Sequence, residues 1–351
     1  MNPMPSKTTR RSRAPLAAIA FLLAASHPAA APAEALSPAI LRTGLDVSIV
    51  PAPPAGPELR LAQPYGRRGP TSIRHRLVEG EPRRSRSPNP ADPNGGRFYA
   101  RDRDLGQTFT VPADSTPFRL EAVTLRVGPV SADFDGTLAD ARERGEVFLQ
   151  LFEVSGEPVV HDNGTTGEVL VSKAYPHPAT MALADDYITG ETYRTLLVAR
   201  GGRLPRHFEL GDENSGGPES GSKGSLLRFD LGAAGAPVLQ PGRRYAFLVG
   251  FEKAGPTMAL PLDNWDYLNT SGATPEQVRH GAYAGGHAIR REGRVPEPWN
   301  NLDRAFSDDP SQARFPDSFT ERLAQQPGTW GRPDVDTYRD LVFWISGSDA
   351  P

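Results

Sequence analysis

The stretch Leu239–Phe251, LQPGRRYAFLVGF, decides the fold. Pro241 and Gly242 form a turn, and the residues after it alternate. Tyr245, Phe247, Val249 and Phe251 fall on one face; Ala246, Leu248 and Gly250 fall on the other. A period of two with an aromatic-rich face marks a central strand of a β-sandwich.

Working outward, the same character recurs. GQTFTV (106–111) and FRLEAVTLRVG (118–128) precede it, the second with Val123, Leu125 and Val127 alternating with polar residues. In GEVFLQLFEVSG (145–156), Val147, Leu149 and Leu151 share a face and Phe148, Gln150 and Phe152 take the other. Glu157–His161 reads as a hairpin return arm, turned at Asp162-Asn163-Gly164. ETYRTLLVARGG (191–202) fits helix or strand; its β-branched and aromatic content leans to strand. SLLRFDLG (225–232) and YRDLVFWIS (338–346) complete about eight strands with Pro/Gly turns and no regular intervening helices. That pattern predicts an all-β, antiparallel, jelly-roll-like β-sandwich over residues 97–347.

A loop-rich insertion, 264–333, interrupts the domain. Two capping boxes predict short helices there, Thr274-Pro275-Glu276-Gln277 and Ser318-Phe319-Thr320-Glu321. Residues 36–96 are rich in Pro, Arg and Ser, and read as a poorly ordered linker with a short strand at Val47–Val50. Arg67, Arg68, Arg83, Arg84 and Arg86 are either solvated linker charges or an arm contacting anionic polysaccharide or lipid.

Residues 1–35 read as a signal peptide. Lys7, Arg10, Arg11 and Arg13 precede the apolar run Ala14–Ala25, and small-residue triplets follow. Arg10-Arg11 lacks a following apolar pair, so ordinary secretion fits better than twin-arginine export. The expected location is periplasmic or extracellular, with no transmembrane segment once the signal is removed. With 39 basic against 42 acidic residues, the chain carries no field that points to nucleic acid. It has no cysteine, which excludes disulfides and thiol chemistry. Its 36 prolines, about double a typical share, argue for turns over long helices.

The series GQTFTVP, FRLEAVTLRVG, LQPGRRYAFLVGF and YRDLVFWI resembles exported bacterial jelly-roll domains of the choice-of-anchor type. The resemblance spans about Gly106 to Ser346. It implies an extracellular, glycan-associated module whose partner is a polysaccharide or cell-envelope glycan, and it carries no catalytic residue across.

Asp133-Phe134-Asp135-Gly136-Thr137-Leu138 looks like the nucleophile motif of haloacid-dehalogenase-type phosphatases, but Gly128–Ala132 before it is a turn and not the apolar strand that chemistry needs. Asp133, Asp135 and Asp140 are hard oxygen ligands suited to calcium, the one cofactor the sequence suggests; the bland alternative is a solvated loop. Asn264, Trp265, Tyr267, Tyr283, His287, Arg290, Trp299 and Asn300 concentrate aromatic and polar groups in the insertion. Aromatic faces stack on sugar rings and Asn and Arg hold hydroxyls and carboxylates, unless the same rings simply pin loops to the sandwich. If Tyr283–Arg291 is one strand, Tyr283, His287 and Arg291 share a face. A His or Tyr base with Arg neutralising a uronate is the chemistry of a polysaccharide lyase. Three functions follow: a non-catalytic glycan-binding or envelope-associated module, a lyase-type enzyme, or a structural matrix protein without ligand.

Overall fold

The computed structural model describes residues 40–66, 71–75, 84–85, 98–99, 102–129, 141–143, 145–157, 159–161, 169–170, 187–211, 223–232, 236–252, 258–266, 283–292, 315–327 and 339–350. The chain divides into Met1–Pro38 and Ala39–Pro351, and the description concerns the second unit. The sandwich strands are β1 (Ile40–Thr43), β2 (Asp46–Val50), β3 (Leu59–Gln63), β4 (Thr71–His75), β5 (Arg103–Thr110), β6 (Phe118–Arg126) and β7 (Glu146–Ser155). They continue as β8 (Thr192–Arg203), β9 (Leu226–Asp230), β10 (Arg244–Phe251), β11 (Met258–Leu262), β12 (Ala288–Glu292) and β13 (Phe343–Asp349).

Two sheets face each other. One runs β1-β8-β7-β10-β5-β4-β11, with β12 also on β5; the other runs β2-β9-β6-β13-β3, with Val238–Leu239 also on β6. The ladders among these strands are antiparallel except β1 on β8. The decisive strand β10 lies between β5 and β7, with Phe247 opposite both Gln107 and Leu151. Its odd face, Tyr245, Phe247, Val249 and Phe251, joins Phe118, Val123, Leu125, Phe343 and Ile345 of the other sheet in one core. Phe247 meets Phe343 edge-on at 5.6 Å. Its even face, Ala246 and Leu248, is also buried, against Phe152, Val154, Tyr193 and Ile289. A strand covered on both faces needs apolar side chains at every position, which is why the run has no polar residue after Arg244.

The ladder is close-fitting. A Cβ on Gly106 of β5 would stand 1.8 Å from the Phe247 carbonyl oxygen, so only glycine fits there. The turn before β10 closes with Gly242 at φ +70°, its N–H donating to Val111 O at 2.9 Å.

Within the span 36–96, read as linker, the described residues 40–66 and 71–75 belong to the sandwich. β1 to β4 lie inside that span and pair in both sheets, and Leu45, Val47 and Ile73 enter the core. Short Pro- and Arg-flanked segments cannot bury enough surface alone, but long neighbouring strands supply their hydrogen bonds and apolar cover. Gly44, at φ +91°, marks the corner where the chain leaves β1 for the other sheet. Gly44 N and Leu45 N both donate to Arg200 O, at 3.0 and 2.9 Å.

The insertion likewise contributes to the sheet: β12 is a full partner of β5. The helix predicted at Ser318 is present as α1 (Phe319–Ala324), with the Ser318 hydroxyl accepting from Glu321 N at 3.3 Å. The helix predicted at Thr274 lies outside the described residues. Among the described residues no helix is long and apolar enough to cross a membrane.

Candidate functional site

β12 sets the geometry. Ile289 sits opposite Gly106 and Arg291 opposite Asp104, so His287, Ile289 and Arg291 line the outer face of the β10 sheet. Tyr283 does not join them. The segment before Ala288 is a turn, and the Tyr283 ring packs edge-on against Phe343 at 5.3 Å, on the inter-sheet side. Its main-chain N–H donates to Asp340 Oδ2 at 3.0 Å, and burial, then the Asp340 charge, raises its phenol above the ordinary range.

His287 is buried and held at both ring nitrogens. Nδ1 stands 3.1 Å from Ala288 O, and Nε2 stands 3.0 and 3.1 Å from the two Glu191 oxygens. Tyr193 donates its hydroxyl to Glu191 Oε2 at 2.5 Å, and Arg244 Nη1 lies 3.1 Å from Oε1. Thus a histidine, a tyrosine and an arginine do converge, but on a buried carboxylate. Desolvation pushes Glu191 up, yet His287, Tyr193 and Arg244 together hold it below the usual carboxylate range. Burial, then the Glu191 charge, raises the Tyr193 phenol well above normal, so it stays protonated at neutral pH. Glu191 was not legible as a site residue: it stands at a turn, 96 residues from its histidine.

Arg291 answers to a different carboxylate. Its Nε donates to Asp104 Oδ2 at 2.8 Å and its Nη1 to Gln150 Oε1 at 2.9 Å. Arg322, from α1, also binds Asp104, through Nε at 3.2 Å and through Nη2, and gives Nη1 to Phe251 O at 2.7 Å. The Arg322 guanidinium lies 4.1 Å over the Phe315 ring and 5.0 Å over Phe148. Residues 315–327 therefore form a strap over the outer face, also taking Gln150 Nε2 on Leu323 O and Tyr193 N on Gln326 Oε1.

Asn264 and Trp265 lie in a short ladder, Asn264–Asp266 on Arg339–Leu341. Both are buried, and Asn264 Nδ2 donates to Leu262 O at 3.3 Å. Arg290 is buried opposite Leu105. Asp263, beside them, joins the two sheets: its N–H donates to Arg126 O and its carbonyl accepts from Val342 N. Tyr267, Trp299, Asn300 and the calcium candidates Asp133, Asp135 and Asp140 lie outside the described residues. Among those described, no group of three metal-ligating side chains occurs.

No family model, no curated protein and no solved structure matches this chain.

Proposed function

We propose that the chain is an exported, non-catalytic β-sandwich module of the cell envelope or extracellular space that binds glycan, with Asn264, Trp265, His287, Arg290 and Arg291 serving as part of its structural frame. One observation supports the non-catalytic reading: the polar atoms of His287 and most of those of Arg291 are committed to Glu191, Ala288 O, Asp104 and Gln150 in buried positions. A base whose two nitrogens both face internal acceptors has no lone pair aimed at a substrate proton. The glycan partner rests on the choice-of-anchor resemblance and on export by residues 1–35.

A second reading, a polysaccharide lyase, is favoured by the convergence of His287, Tyr193 and Arg244 on one carboxylate. Glycan-array binding together with an absorbance assay for unsaturated uronate ends separates the two. Binding without turnover is expected. Turnover lost in His287→Ala would instead establish the lyase. Neither binding nor turnover across acidic and neutral glycans would favour a structural matrix protein.

A further inference from the structure

The two sheets are hydrogen-bonded to each other at one corner. β11 of the first sheet ends beside β6 of the second. Gly128 N donates to Pro261 O at 3.1 Å and Asp263 N to Arg126 O at 2.9 Å, around an antiparallel bridge between Val127 and Leu262. Val342 N, just before β13, donates to Asp263 O at 3.0 Å. The side chain of Asp263 is buried at this seam. Arg126 Nη1 stands 3.3 Å from its Oδ2, and Asn264 N donates to its Oδ1 at 2.9 Å. Gly66 covers the carboxyl: a Cβ there would stand 2.4 Å from Oδ2 and 2.7 Å from Oδ1. Arg126 Nη2 donates to Pro64 O at 3.3 Å, so one guanidinium pins both the carboxyl and the Pro64–Gly66 cover that follows β3.

An ionised carboxylate accepts about four hydrogen bonds, and this one is offered two donors while Gly66 keeps water from it. Ionised, it is drawn to water; protonated, it tolerates the closed site. We infer that the seam is a proton-operated joint: Asp263 in its protonated form keeps the corner closed, and loss of that proton releases the Pro64–Gly66 cover and the seam hydrogen bonds to water while the rest of the sandwich stays folded. The surroundings leave the switch to this one carboxyl. Arg126 is the charge that acts on it among the described residues. Asp340, on the strand paired with Asn264–Asp266, is turned to Gln107 Nε2 and Tyr283 N. Thr71 of β4, opposite Leu262, and Trp344 of β13, against which Arg126 stacks at 5.4 Å, carry no charge, and Tyr65 is the titratable side chain of the cover. In the closed joint burial raises the Asp263 carboxyl from 3.8 to about 6 despite Arg126, and in the open joint it returns to its ordinary value. The opening constant therefore rises about a hundredfold between about pH 4 and 6 and levels off above. The joint works in this way whether or not the protein binds glycan.

The test is native-state amide exchange of the whole chain between about pH 4 and 7, corrected for intrinsic rates, with and without a low concentration of urea. The N–H groups of Gly128, Asp263 and Val342 should lose protection about a hundredfold, through an opening that urea does not promote. The β10 amides should exchange through the urea-dependent unfolding of the whole domain. Seam amides that exchange only together with β10, or whose protection does not change with pH, overturn the inference. Asp263→Asn cannot ionise and should remove the pH dependence at the seam; a dependence that survives in the variant also overturns it. Should the variant not fold, the Asp263 carboxyl carbon followed by NMR in the parent decides. A midpoint near the value of about 6 supports the joint, and one near the ordinary 3.8 refutes it.

Discussion

Two buried aspartates act in opposite ways on stability, and the difference lies in their partners. Asp104 has two guanidiniums and accepts from both. Asp104→Asn would leave two buried cations without a counter-charge, and should cost about 3–5 kcal/mol in chemical denaturation. Gly250→Ala should weaken the same cluster without touching a charge, since a Cβ there would stand 1.8 Å from Asp104 Oδ1. Asp263 has one cation, Arg126, at 3.3 Å, and one main-chain donor, Asn264 N. Desolvation outweighs both, so its carboxyl rises from 3.8 to about 6, and the same desolvation lowers Arg126. The native state therefore holds this proton more tightly than the unfolded chain does. The stability Asp263 contributes is complete below about pH 4 and lost as pH rises through about 6, a loss on the order of 3 kcal/mol. Glu191 runs the other way: its lowered carboxyl stabilises above its ordinary value of 4.5 and loses that contribution as pH falls. Asp263→Asn should flatten the unfolding free energy between about pH 4 and 6 relative to the parent. An unchanged slope would show that Asp263 ionises normally. Arg126, left without its carboxylate, would lower the whole curve but not restore the slope.

At the scale of the element, the strap depends on one hydroxyl and one guanidinium. Ser318 closes the first turn of a helix only six residues long, too short to persist by its own hydrogen bonds. Ser318→Ala should cost about 1 kcal/mol. The loss should show as faster amide exchange at Arg322 and Gln325, whose N–H groups bond within the strap, with β10 amides unchanged. Exchange quickened to the same extent in β10 would contradict a locally held strap. The elements also divide by how readable they were. β10, β6 and β7 announce themselves because alternating side chains report which face is buried. The Ser318 box was readable because capping is local. The role of Arg322 was not: an arginine in a short polar helix looks solvated, and only the carboxylate brought to it by β5 makes it a buried anchor. The spacing of four carries His287 and Arg291 each to a buried carboxylate, while the turn before Ala288 takes Tyr283 to the inter-sheet side and Tyr193 meets His287's carboxylate instead.

At the scale of the molecule, the boundary of the folding unit separates pattern from context. Residues 36–96 carry no sustained periodicity, yet β1 closes one edge of the first sheet, and β2 and β3 form both edges of the second. β4 stands between β5 and β11, so removing it would strip β11 of its one ladder partner in that sheet. Edge strands are the least patterned, since half of each is solvated and pairing with a longer neighbour compensates for weak propensity. Their removal is nonetheless a whole-molecule event, because Leu45, Val47 and Ile73 belong to the same core as Phe247. A variant beginning at Ala39 should unfold in one cooperative transition near the parent's midpoint. One beginning at Arg97 should lose that transition, bind a hydrophobic dye and aggregate through the exposed edges of β8, β9 and β13. If the Arg97 variant instead melts cooperatively at the parent's temperature, β1 to β4 are ornaments on the sandwich and the core is complete without them.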